Sequence, residues 1–131
     1  MLKKYLLSVV IVFVLWSVLD FVIHGIILTK AYQATASLWR PMAEMKMGLM
    51  YLSCFLASAA FCGIYTLLVN PKSLKNGAVY GLLVGLLAGI PMAIGTYSFM
   101  PITVHIGAGW FAGTMVEMIL AGLCVGMIIK K

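Results

Sequence analysis

Between Tyr5 and Leu28 every residue is apolar or small except Asp20 and His24. A helix over that run is about 36 Å long at 1.5 Å per residue, enough to cross a bilayer with some tilt. In hydrocarbon each backbone polar group must be paired within the chain, so the run is read as a membrane helix. The totals agree. The chain has 131 residues, 64% of them hydrophobic and 9% charged, whereas a soluble domain carries roughly 25% charged residues. So little charge cannot cover a water-facing surface. Ala34-Thr35-Ala36 has the form of a signal-peptide cleavage site. A signal's apolar region, however, is only about 7–15 residues long, so the first run is expected to stay in the protein.

Three more runs follow, and the pattern predicts an all-α integral membrane protein. Its single membrane domain holds four transmembrane helices in a small bundle, over about residues 5–28, 42–69, 77–99 and 107–129. The polar stretch 30–45 separates the first two, with Tyr32 and Trp39 as interface anchors. Pro41 suits the first position of the second helix, with Glu44 in its first turn. Asn70-Pro71 ends that helix, and Asn76 suits the cap of the third. Pro91 and Gly95 predict a kink near residues 87–95. The uncharged segment 96–109 is expected to be an interfacial or partly re-entrant loop.

Basic residues set the orientation. Lys3, Lys4, Lys72, Lys75, Lys130 and Lys131 fall on one side, and Lys30, Arg40 and Lys46 on the other. The positive-inside rule then places both termini in the cytoplasm, with a bacterial inner membrane as the expected location. The same distribution argues against nucleic acid as the partner of a chain with net charge +6, since the charges sit at the ends of apolar runs. Cys54, Cys62 and Cys124 lie inside apolar runs and read as buried thiols. Gly77, Gly81, Gly85 and Gly89 form a ladder that admits close helix neighbours. It makes the third helix the expected centre of the bundle and a possible homodimer seam. Gly122 and Gly126 form a second, shorter ladder.

Candidate functional residues lie on two stripes. Trp16, Asp20 and His24, at i, i+4 and i+8, fall within about 80° on a helix. Trp110, Thr114 and Glu117 form the second stripe. With Tyr97 they are expected to line one pocket in the outer half of the membrane. Intramembrane carboxylates face a protein interior or a watery cavity, so such a gathering points to function. Three readings fit. Asp20 and Glu117 are proton or cation sites in a transport or small-ligand path. Alternatively Asp20, His24, His105 and Glu117 hold a zinc or iron ion. Alternatively the acids fix helix packing, and the protein is a non-catalytic assembly subunit of a larger membrane complex. Met47, Met50 and Cys54 share one face, where soft sulfur suits Cu(I) or simply fills space. No nucleophile elbow, zinc-protease or phosphate-loop motif is present. The balance is against an enzyme, and no cofactor is required.

Overall fold

The structure, a computed structural model, is described for residues 1–130. Lys131, counted above among the basic residues of the terminal side, lies outside the described residues. The described chain is helical, with no strand. Four helices are long and apolar enough to cross a membrane: Leu2–Ile27, Met47–Leu68, Leu74–Phe99 and Val104–Ile128. They are called the first to fourth spans below. Their outward faces expose large apolar side chains such as Leu6, Phe21, Leu67, Leu87 and Phe99. Water does not tolerate continuous apolar faces of this kind, whereas hydrocarbon does.

Helix ends differ from the sequence expectation where local caps decide them. The second span begins at Met47, not near residue 42. Pro41 opens only a short 3-10 turn, Met42–Glu44, and extended backbone at Met45 separates it from the span. The third span begins at Leu74, because the Ser73 hydroxyl accepts the Asn76 N–H at 3.1 Å. Asn76 is thus capped and is not itself the cap. The expected loop over 96–109 shrinks to Met100–Thr103. Thr96–Phe99 is helical, and Thr103 caps Val104 onward by accepting the Ile106 N–H at 3.2 Å.

Two spans carry π turns: Ile23–Ile27 in the first and Pro91–Gly95 in the third. The second lies in the region where Pro91 predicts a kink. The first coincides with a close packing contact. Ile23 and Leu28 sit against Gly113 and Gly109 of the fourth span, where an added Cβ would meet their side chains at 2.9 and 2.7 Å.

The first and fourth spans are the inner pair of the bundle, and the third is not central. The fourth packs along the third span on one side and against the first on the other, and the second span packs on the first. The glycine ladders explain the closest pair. A Cβ at Gly81 would collide with the Met118 carbonyl oxygen, and one at Gly122 with the Gly77 carbonyl oxygen. Backbone lies against backbone there, so the ladder of the third span is filled within the chain. Spans two and three meet at the end nearest the chain termini, where the Tyr80 hydroxyl donates to the Phe61 carbonyl at 2.7 Å. Around that bond Val9, Val12, Trp16, Phe61, Cys62, Tyr65, Ala121 and Val125 form the buried core.

Candidate functional site

Above this core, toward the loops, the four spans leave a half-open cavity of about 350 Å³. The first span contributes Trp16, Asp20, Ile23 and His24, which helical spacing puts on one stripe. The fourth contributes Trp110, Gly113, Thr114, Glu117 and Met118. The second and third add Met50, Ser53, Cys54, Ala57, Ala88 and Met92. Among the described residues no lysine or arginine lines the cavity.

The two stripes are tied together directly. The Trp16 indole N–H donates to the backbone carbonyl of Glu117 at 3.0 Å, which fixes the first span against the fourth at the level of the acid. Among the described residues, one carboxylate oxygen of Glu117 is buried without a hydrogen-bond partner. Such an atom is costly to leave unsatisfied. Asp20 and His24 stand one helical turn apart, with Oδ1 and Nε2 at 3.7 Å. The other ring nitrogen of His24 lies 2.6 Å from the Tyr32 hydroxyl. The same hydroxyl accepts the Trp110 indole N–H at 2.7 Å.

Tyr32 belongs to the short helix Thr29–Ala34 that follows the first span. It stacks on His24 and meets Trp39 edge-on, and Trp39 meets Trp110 edge-on. Trp39 is held in turn by donating to Thr35 Oγ1 at 2.9 Å. This aromatic cluster covers the loop end of the cavity. Burial pushes the Tyr32 phenol above its ordinary value, the Trp110 hydrogen bond opposes that shift, and the Asp20 charge adds to it. The hydroxyl therefore stays protonated at neutral pH.

Of the residues singled out from sequence, Trp16, Asp20, His24, Trp110, Thr114 and Glu117 line this one cavity. Tyr97 and His105 do not. His105 is five residues before Trp110, about 140° around the helix, and it is exposed. Tyr97 follows the π turn, which shifts the helical register, and its side chain is exposed. Met92 takes the place on the wall, where the Thr114 hydroxyl donates to its sulfur at 3.7 Å. Among the described residues no three of His, Cys, Asp and Glu are grouped as a metal ion would need. The set Asp20, His24, His105 and Glu117 is thus not assembled here. Met50 and Cys54, noted for their sulfur, reach the cavity, while Met47 does not line it. Sequence reading missed Met92 and Met118, whose spacing marks them as ordinary apolar positions. It also treated Tyr32 and Trp39 only as interface anchors. No protein-family model, curated protein or solved structure matches this chain.

Proposed function

We propose that the protein sits in a plasma membrane, of the bacterial inner-membrane kind, with both termini cytoplasmic, and that its cavity binds a small cation in exchange for a proton. The observation that carries this reading is the meeting of Asp20 and Glu117, from different spans, on one cavity, with a Glu117 oxygen buried and unpartnered. A carboxylate in a low-dielectric site needs a proton or a cation to neutralise it. When the same oxygens take either, each displaces the other, and binding of the two is linked. Asp20, His24 and the Tyr32 hydroxyl form a polar chain from the cavity wall to the loop end. In this reading the chain carries the proton, and the exchange serves proton- or cation-linked transport.

The test is proton release from purified protein in weakly buffered detergent. Cations of graded size are added, from sodium and tetramethylammonium to alkylamines. Release by the native protein, its loss in Glu117→Gln, its reduction in Asp20→Asn, and unchanged melting temperatures are the expected result. If no cation releases protons and both variants lose thermal stability, the acids are packing elements. The role of the protein then lies in assembly with a partner.

A further inference from the structure

The cavity is closed at both ends and open at its flank. Toward the termini, Trp16 lies edge-on to Phe61 with ring centres 5.3 Å apart, and Tyr80 closes the gap between spans two and three. Toward the loops, Tyr32 joins His24 to Trp110 over the mouth. Between these closures no comparable bond joins the second span to the third among the described residues. Ser53 and Ala57 on one side and Ala88 and Met92 on the other line the cavity and are themselves exposed. Their exposed neighbours are Leu52, Leu56 and Leu87. In a membrane this gap faces hydrocarbon.

The lining selects the chemistry of what comes through the gap. Its volume of about 350 Å³ falls in the roughly 300–1,000 Å³ range of small-molecule pockets, many times the ~30 Å³ share of a single water. Two carboxylates without any lysine or arginine favour a positive group. Met50, Met92 and Met118 give an unbranched, adaptable apolar wall. A bare ion uses the acids and leaves the wall unfilled, and a neutral lipid fills the wall and leaves the acids unpaired.

We propose that the ligand is a small amphiphile with a cationic amine head, and that it reaches Asp20 and Glu117 from the bilayer through the gap between spans two and three. This rests on the cation-for-proton reading above. The experiment places the protein in phosphatidylcholine nanodiscs and follows quenching of tryptophan fluorescence by a nitroxide-labelled dodecyl dimethylamine. Trp16 and Trp110 line the cavity and report its occupation. A nitroxide-labelled dodecanol is the uncharged control, and proton release is measured in the same samples. Saturable quenching by the amine and only linear quenching by the alcohol are expected. Glu117→Gln and Asp20→Asn should each weaken the amine by about tenfold. The double variant Ala57→Phe, Ala88→Phe, at exposed positions, should fold normally and lose saturable quenching.

Each other outcome overturns the proposal in an identifiable way. Equal saturable quenching by amine and alcohol means a groove filled by ordinary lipid. Efficient disulfide cross-linking of two chains through Ser53→Cys means that a second copy covers the gap. If sodium or tetramethylammonium releases protons as well as the amine does, and the double variant binds the amine normally, loading from the bilayer is wrong and the cation reading stands. If no cation, the amine included, releases protons, both fall together.

Discussion

Tyr32 shows how one hydroxyl can hold a site together. It accepts from the Trp110 indole and stands 2.6 Å from His24, so it links the first span, the linker and the fourth span. Tyr32→Phe keeps the ring and removes the acceptor. The Trp110 N–H is then left unpaired in a half-buried position, at a cost of about 1–3 kcal/mol. Denaturant unfolding in detergent should show that loss, with a changed tryptophan emission. The same residue gives a pH dependence. Its folded value lies above the ordinary 10.0 because of burial, so on raising the pH the unfolded chain ionises first. Between the two values the native state holds more protons, and stability falls as pH rises. The contribution is complete below about pH 10 and is lost as pH climbs through the folded value. Unfolding midpoints taken on either side of pH 10 should therefore fall more steeply in the native protein than in Tyr32→Phe. Equal slopes would mean that the phenol is not shielded as the geometry requires.

The packed pair of spans three and four is the element whose integrity decides the rest, because the fourth span carries Glu117 and the stripe from Trp110 to Met118 on the cavity wall. At Gly81 and Gly122 the atoms in the way of a side chain are backbone carbonyl oxygens, which cannot rotate aside. Gly81→Ala and Gly122→Ala should each destabilise by about 1–3 kcal/mol, the usual cost of overpacking. Gly63, with nothing near the position of a Cβ, is the control. There the change to alanine should stabilise by roughly 0.5–1 kcal/mol through helix propensity alone. Unfolding by dodecyl sulfate titration distinguishes the two signs. Both glycine ladders are visible in the sequence, but spacing does not say which ladder meets which. That is why the third helix looks central from sequence, while in the fold the first and fourth spans form the inner pair. Helix ends are legible only where cap chemistry is unambiguous, and Ser73 and Asn76 are both good caps. The π turn at Ile23–Ile27, where Ile23 and Leu28 settle onto Gly113 and Gly109, has no local signature, whereas the one at Pro91–Gly95 begins at a proline that the sequence shows. The stripes Trp16–Asp20–His24 and Trp110–Thr114–Glu117 are legible because each lies on one helical stretch with little change of register. Tyr97 is misplaced because it lies beyond such a change.

At the scale of the whole molecule, the closed ends and open flank acquire meaning only with a direction across the membrane. Lys3, Lys4, Lys72, Lys75 and Lys130 fall at the same end of the bundle, and Lys4 Nζ donates to the Lys130 carbonyl at 2.8 Å. The link Met100–Thr103 at the other end carries no charge, and the linker after the first span carries Lys30, Arg40 and Lys46. By the positive-inside rule the excess of lysine predicts that the terminal end is cytoplasmic, as in the proposed orientation. In the proposed orientation the aromatic cover of Tyr32, Trp39 and Trp110 faces outward, and protons moving through His24 and Tyr32 would exchange with the outer side. This is testable without a transport assay. With Cys54, Cys62 and Cys124 changed to alanine, single cysteines are introduced as Met100→Cys and Lys72→Cys. In intact cells a membrane-impermeant thiol reagent should label the first and spare the second until the cells are opened. The reverse pattern would put the cover on the cytoplasmic side and reverse the side from which the proton arrives. Labelling of both in intact cells would mean that the two ends are not separated by a bilayer, and the four spans would need another environment than lipid to account for their apolar faces.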